Sequence, residues 1–227
     1  MTRYFFLLFL WLQNALGYEN ILLKTGNHLF ITDEINIDTR ELFQYNNNAL
    51  NETDIFIYIN SNGGSVLEGN KIIENINFLT NSGYNVSCVV QNAFSMAFHI
   101  LQHCPNRYVT ETATLMQHQM SLGINGNFEN IKSYLSMLEQ LNRKFTSHSA
   151  KRLNMSKLEF RSKILTDWWV YGDEIIDYNI ADTIVTVGCS KELYNLIYKK
   201  ERKELTPLEV LLGGEHNIEL NGCPLLH

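Results

Sequence analysis

Proline is scarce: the chain has three in 227 residues, and no stretch rich in serine and proline divides it. A chain of this length holds one sizeable core, and without a linker it reads as a single domain. Charge is thin as well, at 19% of residues with a net charge of −6. That balance excludes an electrostatic binder of nucleic acid. The basic run Lys199-Lys200-Glu201-Arg202-Lys203 is interrupted by Glu201 and reads as a solvated helix face. Four cysteines, Cys88, Cys104, Cys189 and Cys223, lie far apart with no C-x-x-C pair, which argues against a structural zinc site. The chain also lacks the G-x-x-x-x-G-K-[ST] loop that cradles nucleotide phosphates. With 45% hydrophobic residues it is nevertheless globular rather than disordered.

The N-terminus differs from the rest. Arg3 precedes the apolar run Tyr4 to Leu12, and Ala15-Leu16-Gly17 supplies small residues at an A-x-G site. A charged start, a short apolar centre and a small-residue site resemble a secretory leader. The run is too short for a comfortable membrane span, which takes about 20 residues. We therefore divide the chain into a leader over 1–17, a globular domain over 18–189 and a partly helical extension over 190–227. The leader implies export to a secreted, endomembrane or periplasmic location with cleavage before Tyr18. If it is not a leader, the location is cytoplasmic or organellar. Asn51, Asn85 and Asn154 each open a glycosylation sequon, a weak signal in a chain so rich in asparagine. Export would permit disulfides, although Cys88 and Cys104 fall in or beside packed elements, where a thiol can stay free.

Within the domain the apolar pattern alternates between two periods. Asn27 to Ile37 reads as a strand, Thr39 to Phe43 as helical, and Tyr45 to Thr53 as an asparagine-rich loop. Asp54 to Asn60 is nearly continuous apolar, as a strand buried on both faces should be. The turn Ser61-Asn62-Gly63-Gly64-Ser65 leads into a helix whose stripe is Val66, Ile72, Ile73, Ile76 and Leu79. Asn85 to Val90 is the next strand, and the order β-turn-α-β-turn-α predicts a parallel α/β crossover fold. Further on, Arg107 to Val109 and Thr114 to Gln117 read as short strands, and Ser121 to Asn127 as a protruding hairpin or loop. A long helix carries Phe128, Ile131, Leu135, Leu138, Leu141 and Phe145 on one stripe. Lys157 to Leu165 reads as a helix, Thr166 to Trp169 as a loop, Gly172 to Tyr178 as an amphipathic helix and Ile184 to Val187 as a last strand.

The stretch Val89 to Leu101 draws the eye. A β-branched run ends at Val90, Gln91-Asn92 turns, and an apolar helix starts near Ala93 with Ser95 at its head. A hydroxyl at a helix N-terminus meets unpaired backbone N–H groups that stabilise developing negative charge. Ser is also simply a preferred residue at helix starts. Gly63-Gly64 is open in the same way, either a plain turn or bare backbone N–H groups offered to a substrate oxygen. His99 and His103 sit four apart, a spacing that can hold a metal, but no Glu or third ligand accompanies them. We expect no metal there and read both as core or interface histidines.

Four segments in order resemble the ClpP family of serine peptidases. They are Ile57-Tyr58-Ile59-Asn60-Ser61-Asn62-Gly63-Gly64, then Ala93-Phe94-Ser95-Met96-Ala97, then Met116-Gln117-His118-Gln119, and last Asp167-Trp168-Trp169 with Gly172 to Tyr178. The resemblance covers roughly Asn27 to Val187. It implies the ClpP/crotonase-like α/β fold of repeated ββα units with a handle helix. It also implies Ser95 as nucleophile, His118 as general base and Asp167 as the group orienting His118. The backbone N–H groups of Gly64 and Met96 would form the oxyanion hole, and no cofactor is implied. Asp173, Asp177 and Asp182 are rival acids.

Three positions depart from the family pattern: Asn62 and Met120 stand where it has proline, and Ala97 where it has glycine. The implied partners are a peptide or unfolded-protein substrate and further copies of the chain in a ring, with the handle region around Phe128 as the place where two rings meet face to face. An AAA+ unfoldase is doubtful, because Gly17 to Asn27 is too short for the family's axial loops and first helix. Three other readings are a catalytically silent ring subunit, a crotonase-like acyl-CoA enzyme and a membrane-associated signal-peptide peptidase. The last uses a Ser–Lys pair, and crotonase-like enzymes need no Ser, His and Asp set.

Overall fold

The computed structural model describes residues 18–200 and 218–226. The proposed leader therefore lies outside the described residues. Eight segments build the core of the fold: β1 (Glu19–Leu23), β2 (His28–Ile35), α1 (Ile37–Asn47), β3 (Asp54–Gly64), α2 (Val66–Asn81), β4 (Asn85–Phe94), α3 (Met96–Leu101) and β5 (Asn106–Gln117). Next in the chain come α4 (Phe128–Arg152), α5 (Lys157–Lys163), β6 (Trp168–Tyr171), α6 (Glu174–Asp177) and β7 (Thr183–Cys189). The C-terminal part holds α7 (Lys191–Tyr194) and the antiparallel pair β8 (Ile197–Lys200) and β9 (Ile218–Asn221).

The main sheet runs β1-β7-β5-β4-β3-β2 with every neighbouring pair parallel, and β6 joins β5 antiparallel. The parallel α/β expectation holds. β3 shows why its sequence is so uniformly apolar: Ile55, Ile57 and Ile59 enter the larger core beneath α2 and α3, while Phe56 and Tyr58 face a second cluster. That second cluster also takes Ile21, Leu23, Phe30, Val89 and Val185, with Leu193 and Cys223 from the C-terminal part. A strand covered on both faces has no position left for a polar alternation.

The sheet is kinked along one line. Register shifts occur between Thr32 and Glu34 of β2, between Ile59 and Asn60 of β3, and between Val90 and Asn92 of β4. Side chains stitch this line together: Tyr58 OH donates to Gln91 Oε1, Ser61 Oγ donates to the Asp33 carbonyl, and Asn92 donates to Asn60 Oδ1 at 3.0 Å. Bulges bend strands and re-aim the residues beyond them. Beyond the shifts in β3 and β4 lie Gly63-Gly64 and Ser95.

Several boundaries differ from the sequence reading. β5 is one strand rather than two, because it changes partner instead of ending. Tyr108 to Thr110 pair with β7, and Thr114 to Gln117 pair with β6. Trp168 and Trp169, read as loop, open strand β6. Of the hairpin or loop expected over Ser121 to Asn127, the structure has the loop: residues 118–127 form neither helix nor strand. The amphipathic helix expected over Gly172 to Tyr178 shrinks to the four residues of α6. All four cysteines are paired, Cys88 with Cys104 and Cys189 with Cys223, so burial did not leave the first two as free thiols. No helix among the described residues is long and apolar enough to cross a membrane.

Candidate active site

Ser95 stands between the last residue of β4 and the first of α3 with φ 54° and ψ −116°. A non-glycine residue at positive φ is strained and is held only by its surroundings. The holding is visible. The Ser95 N–H donates to the Met116 carbonyl of β5 at 2.9 Å, and the Ser95 carbonyl accepts from the His99 N–H at 3.2 Å. All six residues of α3 are buried, which anchors the elbow from below.

The glycine pair makes the elbow possible. A Cβ on Gly63, at φ 86°, would lie 2.5 Å from the Phe94 carbonyl oxygen, 2.8 Å from Ser95 Cβ and 2.9 Å from the Met96 nitrogen. A Cβ on Gly64, at φ 143°, would lie 2.5 Å from the Ile35 carbonyl oxygen. Both positions exclude a side chain by space and by dihedral angle. Gly69 of α2 similarly makes room for the Met96 side chain, whose Cε would be 2.5 Å from an added Cβ.

Four of the five residues expected at the site come together. Ser95, His118, Gly64 and Met96 all line one cavity of about 90 Å3. Met96 occupies the first position of α3, where a backbone N–H has no acceptor within the helix. His118 comes directly after β5. Asp167 does not line the cavity; it is exposed and immediately precedes β6. The last pair of the β5–β6 ladder is Gln117 with Trp168, the chain neighbours of His118 and Asp167. Among the hydrogen bonds between described residues, none joins Ser95 to His118 or His118 to Asp167. Of the rival acids, Asp182 is engaged by Arg107 at 2.5 Å, while Asp173, just before α6, and Asp177, its last residue, do not line the cavity.

The far wall of the cavity comes from residues that sequence reasoning did not assign to the site: His99 of α3, with Asn142, Phe145, Thr146 and Ser149 of α4. His99 is almost fully buried; its Nδ1 lies 3.1 Å from Ser149 Oγ, and its ring packs on Phe145 with centroids 3.7 Å apart. Its Nε2 is buried with no hydrogen-bond partner. Burial, reinforced by His103 and His148, holds His99 well below the ordinary imidazole range. His103 stacks on His148 at 3.7 Å, and burial lowers it to about 4. The stripe of α4 gave the only sequence signal for this wall, through Phe145.

A serine on a strained strand-to-helix elbow shares one cavity with a histidine and a glycine pair, on a mixed α/β fold with a mostly parallel sheet. Comparison with known proteins identifies the family. The family model for Clp protease matches residues 17–188. The chain is 24% identical over 133 residues to the ATP-dependent Clp protease proteolytic subunit 2 of Tropheryma whipplei (strain Twist), a match covering 59% of this chain and 74% of that one. It is 23% identical over 131 residues to the ATP-dependent Clp protease proteolytic subunit 1 of Leifsonia xyli subsp. xyli (strain CTCB07), covering 58% and 66% respectively. The chain belongs to the Clp protease family.

Proposed function

We propose that the chain is a serine endopeptidase that cleaves peptide bonds through an acyl-enzyme. The observation that carries this is the convergence of strained Ser95, His118 and the Gly64–Met96 backbone on one cavity. Ser95 Oγ attacks the peptide carbonyl while His118 takes its proton. The carbonyl oxygen becomes an oxyanion facing the N–H groups of Gly64 and Met96, donors worth about 3–4 kcal/mol each in such sites. His118 then protonates the leaving amine, the C–N bond breaks, and water activated by the same ring releases the acyl group. Asp167 holds the His118 tautomer, with contacts that tighten when substrate is bound. A fluorophosphonate probe tests this: the native chain should be labelled and Ser95→Ala should not. Labelling that persists in Ser95→Ala would sink the assignment.

One observation favours a second reading, a catalytically silent ring subunit: Asp167 is exposed and no described hydrogen bond links it to His118. A native chain that resists the probe, alone and mixed with an active homologous subunit, would decide for it.

Assembly and location complete the proposal. The first half of α4 leaves Phe128 and Leu135 exposed, an apolar surface suited to contact between two rings of the chain meeting face to face. Short unstructured peptides should be cleaved without ATP. Two disulfides suit an oxidising compartment, and the three sequon asparagines are all exposed. The location we propose is a secretory or periplasmic space. Mass spectrometry should find Tyr18 as the first residue; an intact cytosolic chain starting at Met1 would refute this.

A further inference from the structure

The two disulfides are placed differently with respect to Ser95. Cys189 and Cys223 join β7 to the C-terminal part and belong to the second core. Cys88 lies in β4 and Cys104 just past the end of α3, so their bridge, with a sequence separation of 16, encloses the elbow. The second half of β4, Ser95 and α3 are thereby one covalent ring, closed inside the larger core. Ser95 is the hinge of that ring. For it to leave φ 54° for an ordinary dihedral angle, α3 has to swing relative to β4. A helix of six residues keeps no structure of its own without outside support. The backbone bonds from Ser95 to Met116 and from His99 to Ser95 act at the hinge itself. The Ser95 side chain makes no capping hydrogen bond and so does not help to hold the turn. The bridge acts at the far end of α3, where a swing would be widest.

We infer, resting on the serine-peptidase reading, that Cys88 and Cys104 are a positioning pair: their bridge holds Ser95 in the strained conformation from which it attacks, and so makes cleavage depend on oxidation of the chain. Strain at a reactive residue lasts only where the surroundings over-determine it, and the bridge supplies the second tether on α3. The pair closes by exchange with an external disulfide. One cysteine thiolate attacks it and forms a mixed disulfide, and the second thiolate then displaces the external sulfur. Two electrons and the two cysteine protons leave on two external thiols. Both sulfurs are buried in the folded chain, so the exchange precedes closure of the core, and the finished bridge is out of reach of a reductant. A chain that folds reduced has α3 tethered at the elbow only, and Ser95 is free to relax.

Two paired variants test this: Cys88→Ala with Cys104→Ala opens the bridge behind the elbow, and Cys189→Ala with Cys223→Ala opens the other. Under conditions where unfolding curves show each chain folded, fluorophosphonate labelling of Ser95 should slow at least about tenfold in the first variant and less than about twofold in the second. A second readout needs no catalysis. By NMR, the Ser95 and His99 amides should exchange with solvent at least about tenfold faster in the first variant, while amides of β2 keep their protection. The second variant should leave the elbow amides as they were. If the first variant does not fold, Cys88→Val with Cys104→Ala restores apolar volume and takes its place. Failure of both to fold would overturn the inference, because the bridge would then hold the whole core rather than the elbow. Native-rate labelling, native exchange at the elbow, or equal effects of losing either bridge would overturn it as well. A native chain that the probe does not label, with elbow exchange still raised by loss of the first bridge alone, would refute the peptidase reading and leave the positioning of Ser95 standing.

Discussion

Gly63 ties the elbow to the sheet by having nothing where a side chain would be. Gly63→Ala should force the Phe94–Met96 backbone aside, costing on the order of 1–3 kcal/mol in strain. It should also slow fluorophosphonate labelling of Ser95 at least about tenfold while the chain stays folded. Gly83 provides the contrast. It too has positive φ, at 94°, but an added Cβ would meet nothing within 4 Å. Gly83→Ala should cost about 1 kcal/mol and leave the labelling rate unchanged; unfolding curves and labelling kinetics on both variants check the pair. At this scale the sequence was informative wherever a residue type is dictated locally. Ser95, His118 and Gly64 were singled out by four short motifs in order, each weak by itself. His99 could not be placed in the cavity, because its neighbour Ser149 lies 50 positions away and only the packing of α4 joins them.

The seam between α3 and α4 is built on histidine. His99 packs on Phe145, His103 stacks on His148, and the His148 ring bonds the Gln102 carbonyl at 2.8 Å. His99 and His103 are both held below the ordinary 6.5, chiefly by burial, with His103 at about 4. Above pH 6.5 these rings are neutral whether the chain is folded or not. As pH falls from 6.5 toward 4, the unfolded chain takes up protons that the folded seam refuses, so stability should decline through that window. Urea midpoints should therefore be lower at pH 5 than at pH 7, and His103→Gln should flatten the difference.

Helices α2 and α4 were legible as elements because each keeps an apolar stripe over many turns. β6 was not, because Trp168 comes after a turn-like Thr166-Asp167 and its strand character comes from pairing with β5. β5 looked like two pieces for a related reason. Its exposed Glu111 and Thr112 sit where the partner changes, and a polar interruption reads locally as an end.

For the molecule as a whole, the first half of α4 should set the association state. Phe128 is 74% exposed and Leu135 38%, on a helix that presents further apolar groups beside them. Leu135→Glu should shift the assembled form toward monomer, as read by light scattering, without lowering the unfolding midpoint of the monomer. The C-terminal part is held differently. His28 Nε2 lies 3.2 Å from the Gly222 carbonyl, Leu193 and Cys223 enter the second core, and the Cys189–Cys223 bridge closes a loop with a sequence separation of 34. Chain entropy for a loop of that size corresponds to about 3–4 kcal/mol. Cys223→Ser should therefore lower the stability by a comparable amount in urea unfolding, as should a reductant acting on this pair.

The same bridge affects how the protein records damage. A single backbone cut anywhere between Cys189 and Cys223 leaves the two pieces covalently joined. Such a nicked molecule keeps its full mass on a gel run without reductant and separates into two bands only when the bridge is opened. A preparation that looks intact can thus be a two-chain protein, one whose smaller piece is retained by a sulfur bond and by the core contacts of Leu193 or Cys223.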